Sequence, residues 1–342
     1  MNNSNRRDFL KTLAGLTSGL LIPYSSFSSK GTPFRDKLGE SLPLRKLGNT
    51  GEMVTMLGLG GYHIGWTTEK KARETIEAAL EGGIRFFDNA ESYSDGRSEE
   101  RYGKYLVPNY RDDVFIMTKT YSTDAKTARK HLEGSLKRMN TDYIDLWQVH
   151  SLQSPDDVDE RIENKVLDVI AEAKKSGKVR YVGFTGHRSP YAHARMLDKT
   201  GEDFFQTAQF PINVVDSGVE HSFIRHVLPR LVDRKMGVLA MKTLADGRFF
   251  YKKVQNDNVK WDTKNPVIPE FITLEEALRF VWSLPVSVLI TGAENPQLLE
   301  EKIAMARRFE KMSENDREKL IDKVADLPDS GEVEYYKNVQ TG

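Results

Sequence analysis

The sequence predicts an α/β fold, a (β/α)8 TIM barrel built from eight strand–helix units. Short apolar runs recur at a spacing of about 30 residues, the length of one such unit with its loops. Amphipathic stretches such as KKARETIEAALEGG and DAKTARKHLEGSLKRMN lie between most of the runs. Eight units match a closed barrel, whereas an open doubly wound sheet, the alternative, rarely needs so many. The runs end at or near Gly60, Ala90, Thr120, His150, Gly186, Asn213, Leu244 and Gly292.

Composition sets the scale of the protein and excludes several functions. A chain of 342 residues can form one large barrel or two ordinary domains. Lys+Arg and Asp+Glu both number 50, so the formal net charge is zero and the basic surplus typical of nucleic-acid binding is missing. The chain contains no cysteine, which excludes disulfides, cysteine-ligated zinc, iron–sulfur clusters and thiol nucleophiles.

The N-terminus predicts an export signal over residues 1–30. A basic start that contains Arg6-Arg7 precedes a weakly apolar stretch from Thr12 to Pro23. This stretch is shorter than the ~20 apolar residues of a spanning helix, so no stable membrane insertion is expected. The pattern Arg-Arg-x-Phe-Leu-Lys resembles the twin-arginine signal, except for Asn5 where Ser or Thr is usual. We therefore expect export to the periplasm by the twin-arginine translocation machinery; the alternative is a frayed basic helix, and signal cleavage stays open.

Residues 31–41 are predicted to form a polar linker, and residues 42–342 the barrel domain. The stretch LPLRKLGNTGEMVTMLGLGG opens this domain with two short alternating runs around Asn49-Thr50-Gly51. Asn and Gly readily take the positive φ that a hairpin turn needs. We expect an N-terminal β-hairpin that plugs one end of the barrel.

Two later segments depart from the regular spacing. Residues 245–272 form a long aromatic segment after the seventh strand, with Arg248-Phe249-Phe250-Tyr251 and Trp261. Loops of this length are usually functional or disordered, so the segment is either a substrate lid or a flexible loop. Residues 313–342 carry a helix-like run and then a polar tail. This C-terminal helical tail could fold over the mouth of the barrel, the face where the strands end.

Four polar residues at or just past predicted strand ends form the candidate catalytic set. They are Asp88, Tyr93, Lys119 and His150, in the runs IRFFDNAESY, VFIMTKT and YIDLWQVH. The carboxyl ends of barrel strands meet at one mouth, so these side chains are expected to converge. Taken singly, each has an ordinary explanation: a packed loop tyrosine, a solvated lysine, an aspartate that caps a turn.

The chemistry of this set predicts proton transfer to or from an oxygen. A free tyrosine has a pKa of about 10, and the ammonium of Lys119 is expected to lower it. Asp88 can hold a buried lysine by pairing with it, and His150 can orient the reacting oxygen. Together they would protonate a carbonyl oxygen as hydride arrives, or deprotonate an alcohol as hydride leaves.

Several motifs resemble the aldo-keto reductase superfamily. FFDNAESYSDGRSEERYGKYL matches the strand 2 signature, VFIMTKT the lysine strand and DYIDLWQVH the histidine strand; GKVRYVGFTG, AQFPIN and GAENPQLLEEK follow in the right order. The resemblance covers residues 44–309, nearly the whole mature chain. It implies a barrel oxidoreductase with NAD(H) or NADP(H) as cofactor, no metal, and a small carbonyl or alcohol as substrate. By position, Tyr93 would be the proton donor of the tetrad.

The resemblance also implies a cofactor-binding set. Thr185, Gly186 and Gln209 would contact the nicotinamide carboxamide, and Lys242 could reach the pyrophosphate. Met241 stands where the family often stacks a tyrosine on the nicotinamide, and can pack there through its sulfur. The full set is Gly60, Gly61, Tyr62, Thr185, Gly186, Gln209, Met241, Lys242, Leu244, Gly292, Ala293 and Glu294.

The loop after strand 8 departs from the pattern of NADP-preferring members. They place Ser or Lys and then Arg there, whereas this chain has Gly292-Ala293-Glu294-Asn295, with Lys302 where a helix asparagine is common. A carboxylate repels a 2′-phosphate but can hydrogen-bond a free 2′-hydroxyl. The loop therefore favours NAD(H); the alternative is a solvent-facing Glu294, with Lys242 or Arg307 as the phosphate contact.

Three further side chains are expected near the site. His63, His187 and Trp66 would line the substrate pocket or cofactor cleft, although each could be an ordinary surface or packing residue. A metal site on His63, His187 and His221 is disfavoured, because the strand ends carry few carboxylates and strand 1 lacks a His-x-His pair.

The main prediction is an exported carbonyl reductase or alcohol dehydrogenase, with a sugar as one candidate substrate. Free nicotinamide cofactor is scarce in the periplasm, so the cofactor would be retained through export or recycled on the protein between two substrates. One alternative is a non-catalytic nicotinamide-binding sensor or regulatory subunit on the same barrel. Another is a hydrolase that uses Asp88 with Glu91 or Asp145, which the mid-strand position of Asp145 disfavours.

Overall fold

Eight parallel strands close into a barrel in the computed structural model of the protein, which confirms the predicted (β/α)8 fold. The described residues are 34–255, 258–264, 266–327 and 332–337; the predicted signal peptide, residues 1–30, lies outside them. The strands are β1 (Arg35–Asp36), β2 (Gly39–Glu40), β3 (Leu44–Lys46), β4 (Met53–Thr55), β5 (Leu57–Gly60), β6 (Phe86–Asp88), β7 (Phe115–Thr120), β8 (Ile144–Val149), β9 (Val179–Thr185), β10 (Thr207–Pro211), β11 (Gly237–Met241), β12 (Lys252–Gln255), β13 (Asn258–Asp262) and β14 (Val288–Thr291).

The barrel strands follow one another in chain order from β5 to β11, and β14 closes the ring by pairing with β5. Their side chains are almost all buried, as expected for parallel strands covered on both faces. The predicted run ends agree closely with the strand ends; the largest difference is three residues, Leu244 against Met241. The local apolar pattern was therefore sufficient to locate the mouth of the barrel.

Helices surround the barrel and begin where the sequence supplies caps. The Asp124 and Asn295 side chains accept hydrogen bonds from the backbone three residues on, and Thr273 forms a capping box with Glu276. The helices are α1 (Gly61–Trp66), α2 (Glu69–Glu81), α3 (Arg97–Tyr105), α4 (Val107–Tyr110), α5 (Ala125–Met139), α6 (Pro155–Glu163), α7 (Val166–Lys175), α8 (Pro190–Lys199), α9 (Phe223–His226), α10 (Leu228–Asp233), α11 (Leu274–Trp282), α12 (Pro296–Arg307) and α13 (Glu314–Lys323). Among the described residues, none of these helices is long and apolar enough to cross a membrane.

The predicted N-terminal hairpin is present and closes the barrel at the end opposite the mouth. Strands β3 and β4 pair antiparallel, and Leu47 and Val54 join the cluster of side chains that fills the barrel interior. Gly48, at φ +57°, brings this turn so close that a Cβ there would lie 2.4 Å from the Gly237 nitrogen. The plug therefore depends on a glycine at a position of close backbone approach.

The described part of the predicted linker, residues 34–41, forms a second small hairpin. Strands β1 and β2 pair antiparallel, and the Asp36 carboxylate accepts two hydrogen bonds from Arg85, at 2.7 and 3.0 Å. Arg85 comes directly before β6 and is buried. An ion pair thus holds this segment against the barrel, a contact that the polar composition of the segment did not indicate.

Two segments fold at the mouth of the barrel. The long segment after β11 contains the antiparallel hairpin of β12 and β13. Residues 332–337 form a segment, here called the C-terminal strap, that lies against Asn213, just past the end of β10. The Asn213 side chain donates hydrogen bonds to Glu334 at 2.8 Å and to the Tyr336 hydroxyl at 3.2 Å. The strap therefore covers part of the mouth, as the sequence suggested for the tail.

Candidate active site

The four predicted catalytic side chains come together at the mouth. Asp88 ends β6, Lys119 is the penultimate residue of β7, and His150 follows β8 directly. The Lys119 ammonium donates hydrogen bonds to Asp88 Oδ1 at 2.5 Å and to the Tyr93 hydroxyl at 3.2 Å. The rings of Tyr93 and His150 meet edge to face with centroids 6.0 Å apart. The structure thus links the whole predicted set through a chain of contacts from Asp88 to Lys119, Tyr93 and His150.

Lys119 is held as a buried cation. Burial alone would lower its pKa, but the Asp88 carboxylate and Tyr93 outweigh burial and raise the pKa of Lys119 above its ordinary value. Its ammonium also donates to the Asn89 carbonyl at 2.5 Å. With these three acceptors the ammonium is fully hydrogen-bonded, which a buried charge requires.

The loop after β6 presents Tyr93 to the mouth. Three consecutive residues, Ser94, Asp95 and Gly96, have φ between +53° and +89°, and this turn leads directly into α3. The Ser98 hydroxyl donates to the Gly61 carbonyl at 2.7 Å and ties α3 to the end of β5. The position of Tyr93 is therefore determined by a tight left-handed turn anchored to the neighbouring strand.

The protonation state of Tyr93 differs from the prediction. Lys119 does act to lower its pKa, but burial has the larger effect and raises the pKa of Tyr93 to about 12. The expectation of a net lowered pKa was therefore wrong. The phenol is held protonated across the neutral range, as a proton donor needs to be.

His150 is held neutral. Burial, followed by the positive charge of Lys119, lowers its pKa well below the ordinary histidine value. Its Nδ1 is buried without a hydrogen-bond partner among the described residues. Arg161 donates to its carbonyl at 3.1 Å and fixes the backbone instead. A neutral imidazole at this place can hydrogen-bond a substrate oxygen without competing with Lys119 as a second cation.

The side chain of Gln209 fits the role predicted for it. Its amide hydrogen-bonds the Asp88 carboxylate, while its Oε1 is buried and has no partner in the described part of the chain. A buried unpaired carbonyl oxygen at the mouth is an acceptor ready for an amide N–H, such as that of a nicotinamide carboxamide. Thr185 and Gly186 lie on the neighbouring strand and just past it, and the Gly186 nitrogen donates to the Gln209 carbonyl at 3.2 Å.

Glycines allow close packing at the ends of β5 and β14. A Cβ on Gly61 would lie 2.5 Å from the Asp88 carbonyl, and one on Gly292 would lie 2.2 Å from His63 Nδ1. A Cβ on Gly60 would be less crowded, at 3.2 Å from the Thr291 carbonyl oxygen. The residues after these glycines differ in exposure: Tyr62 is exposed beside Tyr93, with ring centroids 5.6 Å apart, whereas Ala293 is buried.

Lysines gather at the ends of β11 and β14, where the phosphates of a dinucleotide were predicted to bind. Lys242 follows Met241, takes a left-handed backbone conformation, and lies 4.0 Å from Asp246. Lys253, on β12, reaches the same carboxylate at 3.1 Å. Leu244, which lies between these two lysines in the sequence, is half-buried. These ammonium groups fit a pyrophosphate, so the cleft suits the implied cofactor.

Glu294 does not point freely into solvent. It is half-buried, its Oε1 lies 3.9 Å from His63 Nε2, and burial raises its pKa although Lys253, Lys71 and Lys302 oppose that effect. His63 itself is neutral, because burial and nearby lysines lower its pKa to about 3.

The two basic residues after β14 are both engaged elsewhere. Lys302 donates to Thr291 Oγ1 and to the Gly292 carbonyl, each at 2.9 Å, and burial lowers its pKa to about 8. Arg307 pairs with Glu40 at 2.8 Å and donates to the Gly82 carbonyl. The alternative in which Arg307 contacts a 2′-phosphate would therefore require this pair to open.

Two further sites considered from the sequence are not assembled. Asp145 accepts from Ile116 and pairs with Arg111 at 2.9 Å, in an ion network near the start of β8 and far from the mouth. It cannot act together with Asp88, so the version of the hydrolase alternative that uses Asp145 is inconsistent with the structure. In the described ranges no group of three or more His, Asp or Glu side chains could hold a metal ion.

The predicted pocket histidines occupy different places. His187 contacts the strap through Tyr336, with ring centroids 6.1 Å apart, and its pKa is lowered by burial to about 4. His221 bonds the Tyr191 hydroxyl at 3.1 Å instead. Trp66 is half-buried, and its ring lies 5.5 Å from that of His63.

Several residues at the mouth were missed from the sequence. Lys253 and Asp246 belong to a segment without periodicity, and the strap residues lie more than a hundred positions beyond the strand ends that they touch: Asn213 and Glu334 are 121 residues apart. Glu91 is buried behind Tyr93 and accepts from the Tyr121 and Ser92 nitrogens at 2.8 and 2.9 Å. Glu91 belongs to the strand 2 motif, but from the sequence it was considered only as a partner of Asp88 in a hydrolase.

Comparisons with known proteins found relatives in sequence and in fold. The curated aldo-keto reductase YhdN of Bacillus subtilis (strain 168) is 33% identical over 242 residues, which cover 66% of this chain and 69% of the relative. The L-galactose dehydrogenase of Arabidopsis thaliana is 27% identical over 304 residues, covering 79% of this chain and 90% of the relative. Among solved structures, the holo form of aldo-keto reductase AKR11C1 from Bacillus halodurans has a TM-score of 0.67 at 21% identity, covering 82% of this chain and 96% of that chain.

The sequence model of one protein family matches most of the described residues. The model of the Aldo/keto reductase family matches residues 56–324, from the start of the first barrel strand to just past α13. This stretch includes all four residues of the predicted tetrad. The chain therefore belongs to the aldo/keto reductase family of oxidoreductases.

Proposed function

We propose that this oxidoreductase reduces a carbonyl group, or oxidises the corresponding alcohol, with Tyr93 as the proton donor and a nicotinamide cofactor. Aldo/keto reductases as a family use NAD(P)H. One observation carries the proposal for this chain: the Lys119 ammonium bridges Asp88 at 2.5 Å and the Tyr93 hydroxyl at 3.2 Å at the mouth of the barrel. A buried ion pair contributes little net stability, because its desolvation cost is comparable with its attraction, so the bridge points to a role beyond stability.

The side chains divide the chemistry among them. When bound, the cofactor supplies or accepts hydride. The Tyr93 hydroxyl gives its proton to the carbonyl oxygen, and the Lys119 ammonium stabilises the phenolate that remains. Asp88 holds Lys119 in place, and neutral His150 hydrogen-bonds the reacting oxygen. Gln209 and Thr185 would hold the carboxamide, while Lys242 and Lys253 would hold the phosphates. The other residues proposed to contact the cofactor are Gly60, Gly61, Tyr62, Gly186, Met241, Leu244, Gly292, Ala293 and Glu294.

A sugar or another polyhydroxylated ring is the proposed substrate class. Tyr62, Tyr121 and Tyr335 are 46%, 47% and 48% exposed. Tyr62 contacts Tyr93, and Tyr121 contacts His150 at 6.0 Å between ring centroids. Aromatic faces at a wet pocket rim suit the apolar face of a sugar ring. The name of the L-galactose dehydrogenase among the relatives supports the same class.

The cofactor is proposed to be NAD(H). The observation that favours it is the half-buried Glu294 carboxylate beside His63, on the loop after β14. The 2′-phosphate dianion of NADP(H) would be repelled there, whereas a free ribose hydroxyl could donate to Glu294. Tighter binding of NADP(H) than of NAD(H) in a fluorescence titration would contradict this assignment.

The Tyr93→Phe variant tests the proposed reaction. The enzyme is expected to lose turnover by a factor of about 10² to 10⁴ and to keep its affinity for the nucleotide. Tyr105→Phe is the matched control, because Tyr105 lies on the outer helix α3 and bonds Glu69 there. A protein that binds nucleotide, but whose wild type and Tyr93→Phe variant are equally inactive on a panel of sugars, would instead support the non-catalytic sensor.

Export with a retained cofactor is a separate proposal. The Arg6-Arg7 pattern supports the twin-arginine route, which carries folded proteins and could therefore deliver a loaded enzyme. Native and denaturing mass spectrometry of the protein recovered after export should release stoichiometric NAD if the cofactor is retained. A double Arg6→Lys, Arg7→Lys variant is expected to stay inside the cell. Unchanged export of that variant would contradict the proposed route.

A further inference from the structure

Arg248, near the mouth, is stacked against two aromatic rings. Its guanidinium carbon lies 4.8 Å from the ring centroid of Trp261 on β13, and 4.7 Å from that of Tyr335 on the strap. Two aromatic rings from distant parts of the chain thus contact one planar cation. Such stacking restricts the guanidinium to one plane and satisfies its faces, but it supplies no acceptors for the N–H groups at its edge.

The Arg248 guanidinium has hydrogen-bond donors that are not used in the described part of the chain. Its Nε is buried without a partner among the described residues. The nearest carboxylate in sequence, Asp246, is already committed: Oδ1 accepts from Lys253 at 3.1 Å and Oδ2 from the Tyr335 hydroxyl at 2.7 Å. By contrast, Arg195 pairs with Asp159 at 2.6 Å. A guanidinium with an unpaired edge can bind a carboxylate or a phosphate through two parallel hydrogen bonds.

Arg248 lies between the exposed tyrosines and the lysine cluster of the mouth. It stacks on Tyr335, whose hydroxyl donates to the Asp246 carboxylate that also pairs with Lys253. Tyr335 is in turn within electrostatic reach of Tyr62, which contacts Tyr93. The three lysines that influence His63 in the cofactor cleft are Lys242, Lys253 and Lys302. Lys242 and Lys253 are already proposed to hold the cofactor phosphates, so Arg248 is available for a second anion.

We propose that Arg248 binds an oxyanion carried by the substrate, a carboxylate or a phosphate remote from the reacting carbon. The inference rests on the proposed oxidoreductase function and adds charge to its substrate class: a sugar acid or a sugar phosphate in preference to a neutral sugar. Trp261 and Tyr335 hold the guanidinium flat, so that it can meet either group with two parallel hydrogen bonds.

The test compares three related substrates on the full-length enzyme. A hexose, the matching hexuronate and the matching hexose phosphate are assayed with wild type, Arg248→Gln and Arg248→Lys. Wild type should prefer at least one anionic member, and which one identifies the oxyanion. Arg248→Gln should lower kcat/KM for that member by about 10- to 100-fold, as expected for hydrogen bonds to a charged group, and change the neutral hexose by less than about threefold. Arg248→Lys should retain part of the preference.

Several outcomes would overturn the proposal. Equal losses for neutral and anionic substrates would indicate a structural role for the stack, and a melting temperature for each variant would accompany that result. Weaker binding of NAD by Arg248→Gln would assign the guanidinium to the cofactor pyrophosphate. A wild type without preference for either anion would also overturn it. Arg129→Gln, which removes an exposed pair with Glu172, is the control for loss of a positive charge.

A binding measurement separates this proposal from the proposed reaction. Calorimetric titration of hexuronate and hexose phosphate into the NAD-saturated protein requires no turnover. Anion binding that Arg248→Gln abolishes would support the site even if the reaction assigned to Tyr93 were wrong. Turnover of the neutral hexose without any anion binding would leave the reaction standing and refute the role of Arg248.

Discussion

Lys119 Nζ lies 2.5 Å from Asp88 Oδ1, and solvent reaches almost none of either side chain. A pair of this kind contributes little to stability by itself, since removing both charges from water costs several kcal/mol. Its cost is offset by three acceptors for the ammonium and by Gln209, which bonds the carboxylate. The pair therefore determines which atoms face the Tyr93 hydroxyl.

Replacing Lys119 by Met should destabilise the fold by about 3–5 kcal/mol, because it leaves Asp88 buried as an uncompensated charge. Urea denaturation followed by circular dichroism measures the change in the free energy of unfolding. The control is Arg129→Gln in the exposed pair with Glu172, which should cost about 0–1 kcal/mol. Equal effects of the two substitutions would show that the buried pair is not held as the structure describes.

The rate of carbonyl reduction should be nearly independent of pH between about 6 and 9. Burial raises the pKa of Tyr93 to about 12, so the donor stays protonated over that whole range. The pKa of His150 is lowered well below its ordinary value by burial and Lys119, so no titration of this imidazole should appear above about pH 6. Alcohol oxidation needs the phenolate, and its rate should therefore rise with pH.

Steady-state kcat profiles in both directions check this prediction. A fall in the reduction rate with a midpoint near pH 7 or 8 would mean that Lys119 outweighs burial and that the pKa of Tyr93 is depressed. Tyr93→Phe gives the background rate against which both profiles are compared.

Acid should destabilise the protein partly through His193. This side chain is fully buried, and burial lowers its pKa from 6.5 to about 4. The folded pKa is the lower one, so the stabilising difference is present above pH 6.5 and is lost as the pH falls towards 4. A shift of this size corresponds to about 3 kcal/mol.

The variant His193→Gln isolates this contribution. The free energy of unfolding, measured by urea denaturation at pH 7.5 and at pH 4, should fall less in the variant than in wild type by about 3 kcal/mol. Comparing the two pH values within each protein removes the packing cost of the substitution. Identical pH dependence in both proteins would exclude His193 as a source of acid sensitivity.

Neutralising Glu294 should shift cofactor preference towards NADP(H). Glu294→Gln removes the charge that would face a 2′-phosphate, and the ratio of the two dissociation constants should move by about tenfold or more. Glu300→Gln is the matched control, because Glu300 is exposed on the following helix. Fluorescence titration with both cofactors measures the ratio. An unchanged ratio in Glu294→Gln would show that its carboxylate does not face the ribose.

The sequence predicted those features of the fold that depend on residues close together in the chain. Strand ends followed from apolar runs, and each residue of the predicted tetrad stands at a run end or in the loop directly after it. Barrel closure then brings Asp88, Lys119 and His150 to one mouth without any further information, since parallel strands all end on the same face. The N-terminal hairpin was equally local, because its turn residues and its alternating runs are adjacent in the chain.

Other features depended on burial or on contacts between distant residues. The direction of the Tyr93 pKa shift is a balance between one ammonium and the loss of water, and only the packed site shows that burial has the larger effect. The pairing of Arg307 with Glu40 was likewise not predictable, because the two residues are far apart in the chain. The residues next to Tyr93 and Arg307 in the sequence carry no pattern that indicates the direction of the pKa shift or the partner of the guanidinium.

By itself, the sequence determined the barrel, the mouth and the four residues that meet there, because hydrophobic periodicity and strand order are properties of neighbouring residues. Tertiary structure alone decided the hydrogen bonds of Asn213 to Glu334, 121 residues away, and the stacking of Arg248 between Trp261 and Tyr335. Such contacts form when segments without periodicity fold onto a completed scaffold. Their partners are selected by shape and charge in space, for which the order of residues along the chain holds no local signal.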